Sequence, residues 1–157
     1  IFSGAIFGFY YAWVCSTMWG LDAADPRIAI NAMQAMNASV RNGIFAPAFF
    51  GTPFVLLLTA IVVWFSPTER TNRKAANWFF AGGLVHLIFG VLLTAGFNIP
   101  MNEALAVVVV PDDIETARTI WQDYSPRWQV FNQIRTATSG LALLLAGIGT
   151  LNLKKSA

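Results

Sequence analysis

The sequence predicts an all-α integral membrane protein: a four-helix transmembrane bundle with short outer-face helices, in a single domain over 1–157. Three observations carry that reading. Only 11% of the residues are charged and 56% are hydrophobic, whereas soluble domains carry roughly 25% charged residues. Four apolar stretches are each long enough to cross the hydrocarbon core, which takes about 20 residues of helix. The charges between those stretches are distributed asymmetrically.

The first stretch covers 1–21. The second covers 44–65 and ends at Ser66-Pro67. The third covers 76–97 and ends at Asn98 and Pro100. The fourth covers 131–153. None alternates with period two, which argues against barrel strands, and helices satisfy every backbone group in lipid. Arg70, Arg73 and Lys74 follow the second stretch, and Lys154 and Lys155 follow the fourth; both groups are assigned to the cytoplasm. Glu103, Asp112, Asp113, Glu115 and Asp123 outnumber Arg118 and Arg127 in the last connection, which is assigned to the outside. The expected setting is a bacterial inner membrane with both termini cytoplasmic. Trp13, Trp19, Trp64, Trp78, Trp121 and Trp128 fall at or near span ends, where interfacial belts are expected. Ile1 opens the chain inside an apolar stretch, so residues are expected to precede it. No basic lead or small-residue cleavage pattern marks a signal peptide.

Two shorter helices are expected outside. Asp25 is placed to cap a helix with Pro26 at its first position; that helix should run toward the second span with a break near Gly43. Pro111 to Gln122 reads as a second one, with Asp112 and Asp113 at its positive N-terminal end.

Several function classes are excluded or left without support. A net charge of +2 and the absence of a basic run argue against nucleic acid. A single cysteine, Cys15, excludes an internal disulfide and a Cys-based zinc site, and its apolar surroundings predict a buried, inert thiol. Met33 and Met36 read as packing rather than as copper ligands with Cys15. Gly4 and Gly8, four residues apart, predict close helix packing. No glycine-rich phosphate loop, nucleophile elbow or paired zinc histidines are present, and no cofactor or multi-ligand metal site is expected. His86, in the middle of the third stretch, is either a sole axial ligand of a pigment or haem or a histidine bonded to a neighbouring helix.

Helical spacing combined with topology gathers a polar cluster at the outer end. Gln34, Asn37 and Arg41 share one helical face; Trp128, Asn132 and Arg135 share another, which Ser139 extends. Asn98, Asn102 and Glu103 flank the end of the third stretch. Arg135 lies inside the outer end of the fourth stretch. It should face the interior with a partner, for which Glu103 is the nearest carboxylate, unless it snorkels to the head groups.

These residues resemble a known family. Met-Gln-Ala-Met-Asn (33–37) is followed by Asn-Gly-Ile-Phe (42–45), then by Asn-Ile-Pro-Met-Asn-Glu-Ala-Leu-Ala (98–106), then by Trp121, Trp128, Asn132, Arg135 and Thr136 at fixed spacing. Together they resemble the anthrone-oxygenase-like family of small four-helix membrane proteins. Glu103 stands where members of that family more often carry a second Asn. Fungal members oxidise polyketide anthrones to anthraquinones with molecular oxygen and no obvious cofactor. The resemblance implies a cofactor-independent oxygenase for an anthrone-like or quinone-like, lipid-soluble aromatic ligand. Asn132, Arg135 and Asn102 would stabilise an oxyanion and Glu103 would act as base, while Asn37, Gln34, Trp121 and Trp128 would hold the substrate. The competing class is a non-catalytic subunit of a larger respiratory or photosynthetic membrane complex, with His86 holding a pigment or haem, or simply packing.

Overall fold

Asparagine, aspartate and proline set the helix boundaries. The computed structural model describes residues 1–66 and 73–153, with the helical backbone of 69–72. The side chain of Arg70, and Pro67, Lys154 and Lys155, lie outside the described residues. Helix α1 (Phe2–Ala12) continues through a π-helical segment (Trp13–Thr17) into α2 (Met18–Ala23). Ala24 ends this run with extended backbone, and Asp25 accepts the N–H of Arg27, which starts α3 (Pro26–Ser39) with Pro26 in its first turn. Asn42 makes the expected break: its Oδ1 accepts the backbone N–H groups of Ile44 and Phe45, both at 2.9 Å, at the start of α4 (Phe45–Trp64).

The next run holds α5 (Glu69–Val85), two π-helical segments (His86–Leu92 and Thr94–Asn98) and α6 (Ile99–Ala106). The third predicted stretch therefore does not stop at Asn98. Pro100 is tolerated because it falls in the first turn of α6, where a missing N–H is least disruptive. Likewise the expected outer helix over 111–122 and the fourth stretch are one helix, α7 (Ile114–Leu151), capped by Asp113 and carrying Pro126 inside it. Burial explains the continuity. Ala117, Trp121, Tyr124 and Trp128 form one buried stripe that passes Pro126 and packs with Ile30, Met33 and Leu105.

Among the described residues three helices are long and apolar enough to cross a membrane: Phe45–Trp64, Arg73–Ala106 and Ile114–Leu151. The first predicted stretch is helical too, but its π-helical segment divides it into α-helices of 11 and 6 residues. No strand occurs among the described residues. Helix α7 packs on α1, α3 and α5, and α4 packs on α1 and α5. Gly83 lets α5 approach α4 closely: a Cβ there would lie 2.8 Å from Leu57 Cγ.

Several local expectations are corrected. Gly4 and Gly8 meet nothing within 4 Å, because α1 packs through Ser3, Ile6 and Tyr10 instead. Cys15 is exposed, not buried. Trp121 and Trp128 are core residues rather than belt residues: both are buried, and their indole N–H groups donate to Asp22 and Asn102 within the protein. Trp19 and Trp64 are exposed, as a belt requires. Met33 and Met36 belong to the packed cluster around Ile30.

Outside the long helices, Arg27 clamps two segments. Its Nη2 pairs with Asp25 Oδ2 at 2.6 Å and its Nη1 donates to the Asp112 carbonyl at 3.0 Å. Hydrogen bonds from Arg27 hold the Asp25 carboxyl down at a pKa of about 2. A carboxylate depressed in the folded state stabilises above its unfolded pKa and loses that contribution as pH falls through the folded value. Stability should therefore drop between about pH 4 and pH 2. Asp25→Asn, which keeps a capping side chain, should flatten that drop, as measured by thermal unfolding across the window.

Candidate functional site

Arg135 is 5% exposed on the inner face of α7. Its Nη2 donates to Asn132 Oδ1 at 2.9 Å, one turn earlier, and its Nη1 donates to Thr94 Oγ1 at 3.2 Å. The Thr94 hydroxyl in turn donates to the Gly90 carbonyl. The guanidinium carbon lies 4.7 Å from the Tyr10 ring centre and 5.3 Å from that of Trp128. Among the described residues no carboxylate pairs with it. Its partners are neutral dipoles and aromatic faces, and its Nε has no partner. Arg135 faces the interior as expected, without the expected counter-ion.

Glu103 is elsewhere. It is exposed and sits 3.6 Å from Arg41, which is exposed as well. One residue along a helix turns the side chain about 100°, so presenting Asn102 inward carries Glu103 outward. Asn102 Oδ1 accepts from Tyr124 Oη at 2.8 Å and from Trp128 Nε1 at 2.9 Å. An indole N–H only donates, so the amide oxygen must face it and the amide N–H₂ is left for another partner.

A cavity of about 1060 Å³ joins these groups. Asn37, Asn102, Trp128, Asn132 and Arg135 line it, with Tyr10, Thr94 and the aromatic walls of Phe9, Trp13, Phe45 and Phe49. Three residues named from the sequence do not. Glu103 faces outward. Gln34 Nε2 donates to the carbonyls of Leu105 and Val108, at 2.8 and 2.9 Å, and so satisfies the C-terminal end of α6. Trp121 Nε1 donates to Asp22, which also accepts from Ser125 and Gln129 and fastens the end of α2 to α7. Asn98 and Ser139, also in the polar cluster, are buried without side-chain partners and are not part of the lining.

Sequence reading missed Tyr10, Thr94, Phe45 and Phe49. Thr94 carried a usable signal, a hydroxyl deep in an apolar stretch. Tyr10 carried none that separates it from Tyr11, which is 52% exposed against 1%.

His86 lies outside the cavity lining and is buried. Its Nε2 faces the carbonyl of Phe49 at 3.3 Å. Pro53, inside α4, has no N–H to give that carbonyl, so the imidazole N–H supplies the missing donor. The ring rests on Gly90, where a Cβ would come within 3.0 Å of it. Nε2 is thus engaged with a neighbouring helix, while Nδ1 is buried without a partner. No group of three metal-ligating side chains occurs among the described residues.

The family model for anthrone oxygenase matches residues 44–145. No curated protein and no solved structure matches the chain. The matched range contains Thr94, Asn102, Trp128, Asn132 and Arg135; Tyr10 and Asn37 precede it.

The histidine–proline pairing makes a prediction. His86→Ala should cost about 1–3 kcal/mol, because it orphans a buried carbonyl. Pro53→Ala restores an N–H for that carbonyl. The double variant should therefore recover part of the loss in a thermal-unfolding cycle, and strictly additive losses would refute the pairing.

Proposed function

The chain belongs to the anthrone oxygenase family, and on that premise we propose that it is a membrane-embedded oxygenase for a flat, lipid-soluble, anthrone-like substrate. The observation that carries this reading is the buried Arg135 guanidinium, unpaired with any carboxylate among the described residues and exposed to an aromatic-walled cavity. Such a site favours a ligand that is planar and becomes negatively charged.

An anthrone suits both demands. Loss of a proton from its ring CH₂ gives a delocalised anion with charge on the ring oxygen. Arg135 and the Asn102 amide stabilise that oxyanion in place, and Trp128 and Phe49 offer faces for the rings. The anion passes one electron to O₂, and the radical pair combines to form a C–O bond. The resulting hydroperoxide loses water across the remaining C–H bond, leaving a second carbonyl. In balance, CH₂ and O₂ become C=O and H₂O. Glu103 faces outward on Arg41, so the first proton goes to water, and Arg135 makes its departure favourable by stabilising the anion.

The run Phe2–Ala23 serves in this reading as a fourth span beside the three longer helices, with both termini cytoplasmic and the cavity toward the outer face. The charge split between Arg73 and Lys74 and the acidic residues before α7 supports that orientation. A cysteine placed at Asp112 should react with an impermeant thiol reagent on intact cells and one placed at Lys74 should not; the reverse labelling would invert the orientation.

Arg135→Lys tests the chemistry. Lysine keeps the charge but loses the planar fork that holds Thr94 and Asn132 while leaving Nε free. Oxygen uptake with anthrone should fall roughly 10²-fold in kcat, with function impaired more than thermal stability. Undiminished turnover would remove Arg135 from the reaction.

A further inference from the structure

The side chains around the cavity are unequal in what they leave free. The acceptors of Asn132, Asn102 and Thr94 are already engaged by Arg135, by Tyr124 and Trp128, and by Arg135 again. Donors are among the groups left free: Arg135 Nε and Asn37 Nδ2 are buried without hydrogen-bond partners, Asn37 beside the Tyr124 hydroxyl, and the Asn102 N–H₂ is turned away from its two donors. Tyr10 adds a fourth. It is 1% exposed and lines the cavity. Its hydroxyl lies beside Thr94 and Arg135 but meets hydrogen-bond geometry with neither.

A buried donor without an acceptor is unfavourable, and several around one cavity define what should fill it. Tyr10 is held for that role. Its ring is pinned against the Arg135 guanidinium at 4.7 Å, and its own carbonyl accepts from Asn132 Nδ2 at 3.4 Å. We propose that the cavity selects planar rings by their oxygen acceptors, and that Tyr10 sets this selectivity by donating its hydroxyl hydrogen to a ligand carbonyl or oxyanion. The inference rests on the oxygenase reading and goes beyond it in two ways. It assigns a substrate-contacting role to α1, which lies outside the family match. It also implies that a ring with two carbonyls binds at least as well as one with a single carbonyl, so the oxidised product competes with substrate.

The test uses the full chain in lipid nanodiscs, with tryptophan quenching as readout and anthraquinone and anthracene as probes of similar shape. Anthraquinone should bind at least roughly tenfold more tightly, as one or two net hydrogen bonds imply. Tyr10→Phe keeps the ring over Arg135; it should weaken anthraquinone roughly five- to tenfold and leave anthracene unchanged. Equal affinity of the two probes in the wild type would overturn the proposal, since the donors would then be satisfied by water, and this comparison stands even if the variant fails to fold. Equal weakening of both probes by Tyr10→Phe would overturn it as well, by reducing Tyr10 to a packing role. Aerobic turnover of anthrone on the same sample separates the two claims. Tyr10-dependent anthraquinone binding without turnover sinks the oxygenase and leaves this inference standing, whereas turnover without probe discrimination does the opposite.

Discussion

A guanidinium buried among neutral partners constrains the rest of this structure. Taking an ion out of water costs several kcal/mol, and Arg135 has no carboxylate to offset it among the described residues. What offsets it is spread over three helical segments. Asn132 supplies an oxygen from the same helix, Thr94 one from the π-helical segment before α6, and Tyr10 and Trp128 two aromatic faces. Hydrogen bonds to a charged group contribute about 1.5–3 kcal/mol each, and desolvated cation–π contacts about 2. Those magnitudes hold the charge in place without neutralising it. A carboxylate partner would have neutralised the positive field that an anionic ligand needs.

The backbone irregularities serve the same arrangement. Pro53 sits inside a helix in the apolar part of the chain, Pro100 at the start of one, and Pro126 inside the more polar first half of α7. In an apolar setting a freed carbonyl has no water to turn to. Pro53 is matched by His86 across the helix pair, which ties α4 to the first π-helical segment of the next run. Pro100 follows a π-helical segment directly, so its ring falls where the hydrogen-bond register is already changing. Wider turns of this kind recur at functional sites. Here Thr94, in the second π-helical segment, is the residue that reaches Arg135.

The fold was legible wherever one-dimensional signals dominate. Apolar length located the long helices, and Asp25-Pro26 located the start of α3. The polar motif residues were found because helical phase and membrane depth bring Asn37, Asn102 and Asn132 to one end. Direction around a helix was less legible. Glu103 next to Asn102, and Tyr11 next to Tyr10, differ from their neighbours by about 100° of rotation, which apolar content cannot resolve when the whole stretch is apolar. Gly4 and Gly8 misled for the same reason, since their spacing marks a face without saying whether anything packs on it. The outer helix over 111–122 and the fourth stretch misled differently: they were read as two helices, while a buried stripe from Ala117 to Trp128 carries a single helix past Pro126.

The division of the site between segments gives its logic. The region that matches the family supplies the charge, its two hydrogen-bonding partners and most of the aromatic wall. Helices α1 and α3, before that region, supply Tyr10 and Asn37. A positive charge with dipolar support stabilises any oxyanion of suitable shape, because Coulomb attraction is long-ranged and weakly directional. A hydroxyl or amide donor acts only over hydrogen-bond distance and at a favourable angle. Reactivity toward the anion can therefore be kept in the family core while the flanking helices decide which oxygen-bearing ring sits against it. Substitutions in α1 and α3 can then retune the ligand without disturbing the buried charge.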